Sequence, residues 1–232
     1  MTGEVTFEGP AWGDAERLVW VDIETTGLDI KRGAILEVGL VITEPLPGLA
    51  EIGAFDVLVN PNFDHAPFAR ARQASKADCW EPNWPLFEQA KTIGLSIESV
   101  APVLTGWLCG RLDETPDSLS LRAGPMCGSS VQFDRKWLDW FMPEMVERLW
   151  TYRNLDVSAI REFMCGLYGT GTIDSVLGIA ERGDKPHRAL PDLRQSIADM
   201  RSLANLVLGI IDSDLTADDV RDAYRADGAA DG

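Results

Sequence analysis

The chain has 232 residues, 45% hydrophobic and 25% charged, with a formal net charge of −16. Those values fit one globular domain or two small ones and exclude a disordered chain. The charge argues against a protein that grips long nucleic acid through a basic face, although metal ions can supply positive charge locally to an enzyme acting on few phosphates.

No apolar run approaches the roughly 18 residues of a membrane span. The acidic start MTGEVTFEGP lacks the apolar core of a signal peptide, so a cytoplasmic location is expected. Cys79, Cys109, Cys127 and Cys165 stand far apart without metal-ligand spacing and read as reduced, mostly buried thiols.

In chain order, residues 1–16 are polar with Gly and Pro and predict a flexible N-terminal arm. Arg17–Glu24 (RLVWVDIE) predicts a buried strand, broken by Thr25, Thr26 and Gly27. Ala34–Thr43 predicts a second strand in which Glu37 is the sole charge, and Ala54–Val59 a third after a Pro/Gly turn over Glu44–Ile52. These three form an antiparallel meander. Asn62–Lys91 is aromatic but aperiodic and reads as short helices and loop; its His65, in NFDHAP, reads as surface.

Ser99–Leu112 predicts a helix with Val100, Val103, Leu104, Trp107 and Leu108 on one side, followed by a loop over Pro116–Gly124. Further predicted elements are a short strand Pro125–Ser129, a helix Val131–Phe141 closed by Pro143, a strand Asn154–Val157 and a helix from Ser158, its expected N-cap, to Leu167. Thr172–Ala180 predicts a helix and Gly183–Pro186 a turn. Arg188–Leu208 predicts one long helix that tolerates Pro191 in its first turn. Asp214–Tyr224 predicts a final acidic helix. The expected organisation is one α/β domain over 17–210 and an acidic C-terminal extension over 211–232. From Asp212 onward that extension holds seven aspartates against Arg221 and Arg225.

Asp22 and Glu24 lie two apart on the first strand. They therefore share a face and sit about 7 Å apart along the chain. Two anions at the end of a buried strand repel and lose hydration, costs that a hard divalent cation offsets. A solvated surface strand is the plain alternative. Asp134 stands in the first turn of a helix, where a carboxylate also complements the helix dipole. In HRALPD, His187 lies at or before a helix start and Asp192 in its second turn, so the pair can face one cavity. A histidine there can take a proton from water.

The order D-x-E, Asp, H-x(4)-D, carried by DIETTGL, the Asp134 helix and HRALPD, resembles the three motifs of the DEDDh family of 3′→5′ exonucleases. YRNLDVS (Tyr152–Ser158) and SSVQFDRKWLDWFMPEM resemble its oligoribonuclease branch. The resemblance spans Leu18–Leu206. It implies an RNase H-like mixed sheet, antiparallel over strands one to three and then parallel, flanked by helices. It also implies that Asp22, Glu24, Asp134 and Asp192 hold two divalent ions, Mg2+ or Mn2+, with His187 as general base.

Leu28 matches a wedge against terminal bases. Ser130, Arg153 and Ser158 match a grip on the substrate's 5′-terminal phosphate. Tyr152 matches an aromatic supplied across a homodimer. The implied substrate is a short single-stranded RNA, and the alternative is a proofreading- or repair-type exonuclease on single-stranded DNA. A non-catalytic module with the acidic tail as its interaction surface would lack a ligand or the base, and none is missing. The stretch Trp84–Leu95 lacks the base-stacking histidine usual in oligoribonuclease, which leaves Trp84 or Phe87 as stacking candidates.

Overall fold

The computed structural model describes residues 17–31, 33–61, 84–115, 124–181 and 187–213. Five strands, β1 (Leu18–Thr25), β2 (Ile35–Thr43), β3 (Glu51–Leu58), β4 (Gly124–Gly128) and β5 (Trp150–Asp156), form one sheet in the order β3-β2-β1-β4-β5. β1 pairs antiparallel with β2, and β2 with β3; β1 pairs parallel with β4, and β4 with β5. The expected mixed sheet is therefore present, with β1 at its centre.

Seven α-helices lie among the described residues. They are α1 (Trp84–Ile93), α2 (Ile97–Leu112), α3 (Gln132–Phe141), α4 (Pro143–Leu149), α5 (Val157–Tyr168), α6 (Thr170–Val176) and α7 (Ala189–Ser213), with a 3-10 turn at Ile179–Glu181. Alternation along β1 sends Val21 and Ile23 into a core with Leu104 and Leu108 of α2 and Trp137 of α3. Leu18 and Trp20 enter the opposite core with Leu193, Ile197, Met200 and Leu203 of α7. That stripe recurs every three or four residues, and each such side chain contributes about 1.5–3 kcal/mol when fully buried. The next residues on the Trp20 face are Asp22 and Glu24, so the core ends where the acids begin.

Several boundaries differ from expectation. β3 begins at Glu51 rather than Ala54, because Glu51 still pairs with Thr43 and its carboxylate holds Arg194 at 2.9 Å. Pro143 opens α4 instead of only closing α3; at a helix's first position its missing N–H costs nothing. β5 starts at Trp150, whose indole N–H donates to the Val19 carbonyl at 2.9 Å, four residues before the expected Asn154. The cap of α5 is Asp156 rather than Ser158, since the Asp156 carboxylate accepts from the backbone of Ser158 (2.9 Å) and Ala159 (3.3 Å). Val103 is exposed, whereas Val100, Leu104 and Leu108 are buried. The N-terminal arm, His65, the loop over 116–123, the turn at 183–186 and the acidic helix over 214–224 lie outside the described residues.

Gly39 on β2 pairs with Asp22, and a Cβ there would lie 2.6 Å from the Ala189 Cβ, so α7 rests on bare backbone at this point. Gly39→Val is expected to lower unfolding stability by about 1–3 kcal/mol, the usual cost of overpacking, read from the urea midpoint. An unchanged midpoint would mean that α7 shifts freely over β2.

Candidate active site

The end of β1 carries Asp22 and Glu24, and the turn beyond it is pinned by Thr26, whose N–H donates to the Ala34 carbonyl and whose hydroxyl oxygen accepts from the Ala34 N–H, both at 2.9 Å. Asp134 rises from the first turn of α3, 4% exposed, and its carboxylate accepts the Ile23 N–H at 2.9 Å, between the two acids of β1. Asp192 comes from the first turn of α7, and His187 stands two residues before that helix begins. The His187 Nδ1 lies 3.5 Å from the Asp192 carboxylate. Ligand atoms of Glu24, His187 and Asp192 all lie within 4.8 Å of one another, close enough to share one cation. Three elements distant in sequence thus meet at one place.

The electrostatics of the cluster are unfavourable as it stands. Burial, then the charges of Asp134, Glu24 and Asp192, push the Asp22 carboxyl up to about 9. Burial, then Asp192, Glu37 and Asp134, push Glu24 up to about 8, partly opposed by Arg188. Burial pushes Asp134 up to about 7 despite the Ile23 N–H. Carboxyls held protonated near neutral pH mark negative charge without enough compensating positive charge. A set of carboxylate oxygens from Asp22, Glu24, Asp134 and Asp192, with the His187 imidazole beside it, suits Mg2+ or Mn2+, so these residues fit the ions that the motif order implies.

The remaining expected residues flank the cluster. Leu28 is exposed on the turn after β1. Ser130, with a left-handed φ of 52°, directs its N–H to Asp156 (2.9 Å) and its hydroxyl to Ser158 Oγ (3.0 Å), while Ser129 Oγ lies 2.8 Å from the same oxygen. Ser129, Ser130 and Ser158 therefore gather their hydroxyls at the start of α5. Arg153 is exposed on β5, its guanidinium 5.4 Å from the ring centre of Tyr152, which is itself 83% exposed. Phe87 cannot stack on a base: it is buried against Leu36, Leu86 and Ala90. The Trp84 side chain is outside the described set.

Sequence reading missed two supports. Arg135, the neighbour of Asp134, donates to the Thr151 carbonyl (2.8 Å), the Arg153 carbonyl (3.1 Å) and Asn154 Oδ1 (2.8 Å), tying α3 to the strand that bears Tyr152 and Arg153. Arg188, inside HRALPD, meets the buried Glu37. The lone charge in β2 signalled a partner without identifying it.

No family model matches the chain. It is 31% identical over 192 residues to the oligoribonuclease of Chromobacterium violaceum, covering 81% of this chain and 93% of that protein. It is 32% identical over 196 residues to the oligoribonuclease of Xylella fastidiosa (84% and 91% covered) and 28% identical over 191 residues to mitochondrial oligoribonuclease of Homo sapiens (82% and 73%). In fold it is similar to exonuclease I of Methylocaldum szegediense, with a TM-score of 0.55 at 19% identity over 83% of this chain and 43% of that one. It is also similar to E. coli exonuclease I in complex with a 5cy-dT13 oligonucleotide, with a TM-score of 0.56 at 15% identity over 85% and 42%. The chain thus spans less than half the length of those exonuclease I chains, and what it shares with them is the RNase H-like fold.

Proposed function

Because the chain belongs to the oligoribonuclease family of 3′→5′ exonucleases, we propose that it degrades short oligoribonucleotides from the 3′ end to nucleoside 5′-monophosphates. In this reading Asp22, Glu24, Asp134 and Asp192 hold two divalent ions, and His187 is the general base. The observation that carries it is the convergence of Glu24, His187 and Asp192 within 4.8 Å, beside the half-buried Asp22 and the buried Asp134. When bound, the ions would neutralise charge at the reacting phosphate and acidify water.

The chain's own residues supply the rest. His187 is 81% exposed on its side chain and reaches arriving water and substrate. With Nδ1 turned to Asp192, it takes the proton of the attacking water at Nε2. The Ile23 N–H holds Asp134 in place, so that carboxylate need not reorganise as charge develops. Ser130 and Ser158 offer hydroxyls, and Arg153 a planar fork, to the 5′-terminal phosphate, which limits the substrate to a few nucleotides. Leu28 wedges against the terminal bases.

Tyr152, exposed on the edge strand β5, reaches the site of a second copy of the chain in a homodimer. Among the described residues no helix is long and apolar enough to cross a membrane, and the proposed location is the cytoplasm.

End-labelled RNA and matched DNA of about 2 to 20 nucleotides, incubated with Mn2+, test this reading. Fastest 3′ trimming of the shortest RNA is expected. Equal trimming of all lengths would remove the length preference, and faster trimming of DNA would favour a repair-type enzyme. His187→Ala is expected to lower kcat by about 10²–10⁴-fold, the range for a lost general base, with the circular dichroism spectrum unchanged. Full activity in that variant would take His187 out of the mechanism.

A further inference from the structure

Glu37 is 1% exposed in the middle of β2, among residues that are all buried. A buried carboxylate is tolerated only when its charge and lone pairs are met. Arg188 meets them: its Nε lies 3.1 and 2.9 Å from the two Glu37 oxygens, and a terminal nitrogen lies 2.8 Å from the first. The Ala189 N–H, at the first residue of α7, donates to Glu37 at 3.1 Å. Glu37 thus caps the start of α7 from a strand position 152 residues earlier in the chain, satisfying one of the N–H groups that a helix start leaves open.

Stability alone is a weak reason for such a pair, since well-packed apolar residues serve as well or better. What the pair does is fix a position. The Arg188 carbonyl accepts the Asp192 N–H at 3.1 Å, the hydrogen bond of the first turn of α7. Holding Arg188 therefore sets His187, one residue before, and Asp192, one turn later. Gly39, two residues along β2, lets Ala189 descend far enough for the contact. Glu24 pairs directly with Glu37 across the strands, so the clamp is anchored next to the carboxylate that His187 and Asp192 face. Arg188 also stands 3.8 Å from Asp56 on β3, so its cation lies among Glu24, Glu37 and Asp56 and offsets part of their repulsion.

We propose that Glu37 and Arg188 are positioning residues: their forked ion pair locks the first turn of α7 onto β2 and so places His187 and Asp192 opposite Glu24. The proposal rests on the functional reading above for its effect on turnover, but not for its effect on the metal-free chain.

The test compares the full chain with Glu37→Gln, Arg188→Ala, Arg188→Lys and the double variant Glu37→Gln/Arg188→Ala. Amide hydrogen exchange is measured without metal, Mn2+ affinity by calorimetry, and kcat and KM on a short RNA. Exchange is expected to quicken by at least about tenfold within residues 188–193 and to stay unchanged in β1 and in the C-terminal half of α7. Mn2+ affinity is expected to weaken and kcat to fall about 10–100-fold with KM within about threefold, the double variant being no worse than the more damaged single one, as for two residues acting as a unit. Lysine keeps the charge but not the fork, so Arg188→Lys is expected to resemble Arg188→Ala.

Unchanged exchange at residues 188–193 would overturn the clamp, as would quickening throughout the fold, which marks a merely structural role. A KM rise above tenfold in Arg188→Ala alone would instead make Arg188 a substrate contact. Full recovery with lysine would assign the effect to charge rather than position. If the unsubstituted chain cleaves no oligonucleotide, the functional reading falls, while the exchange and Mn2+ results still decide the clamp.

Discussion

Asp22→Asn is expected to abolish turnover and, in the same protein freed of metal, to raise its stability. Asparagine keeps the shape of the side chain and removes the charge that a divalent ion would meet. The loss of several kcal/mol of stabilisation at the reacting phosphate corresponds to at least about a 10³-fold fall in kcat. The opposite sign for stability follows from the same burial. With its carboxyl pushed up to about 9 by desolvation and by Asp134, Glu24 and Asp192, Asp22 opposes folding at neutral pH, where the unfolded chain carries it ionised. Removing it is expected to add on the order of 1–3 kcal/mol to unfolding in chelator at pH 8, and to reduce the stabilisation that added Mn2+ brings. Both readouts come from one preparation: thermal melts with and without Mn2+, and single-turnover cleavage. A variant that loses activity and also melts lower without metal would mean that Asp22 is a structural acid.

Much of this arrangement was legible in the chain because it lies in short, strongly patterned stretches. In β1 the alternation that buries Leu18 and Trp20 continues into Asp22 and Glu24, so strand and acidic face were readable together. HRALPD was readable because a helix start fixes the relative reach of residues five apart. Harder to read were features set by partners far away in sequence. TYRN in β5 has little apolar alternation because Tyr152, Arg153 and Asn154 lie exposed on an edge strand, so the sequence pattern puts the strand start four residues late. Ser158 reads as the cap since serine favours that position, yet Asp156, two residues earlier, bonds the free N–H groups and leaves the serine hydroxyl to Ser129 and Ser130. Phe87 read as available for stacking only because nothing local reveals that Leu36 and Leu86 enclose it. Glu37 stood out as a lone charge, but its partner depends on how closely α7 approaches β2, which Gly39 decides.

Without metal, the thermal midpoint of the chain is expected to fall steadily as pH rises from about 5 to about 9, and saturating Mn2+ is expected to flatten that slope. Asp22, Glu24 and Asp134 are shifted upward in the fold, to about 9, about 8 and about 7, from ordinary values near 4. A carboxyl shifted upward keeps its proton in the folded state where the unfolded chain has already released it. Between the two values the folded state binds more protons, so stability declines with rising pH. The decline begins near pH 4, where the unfolded carboxyls ionise, and ends once the last folded carboxyl has ionised near pH 9. The three groups interact and titrate together, so one broad slope is expected rather than three steps. A total on the order of 3–5 kcal/mol would move the midpoint of a chain this long by roughly 10 °C. Ions bound to the ionised carboxylates reverse the linkage: they bind best where the protons have left, so the gap between melts with Mn2+ and with chelator should widen from pH 5 to pH 9. Asp22→Asn should remove part of the chelator slope, whereas substituting an exposed acid such as Glu162 should leave it intact. A flat chelator profile would show that these carboxyls are already compensated within the chain. A Mn2+ effect that does not grow with pH would place ion binding elsewhere on the acidic surface.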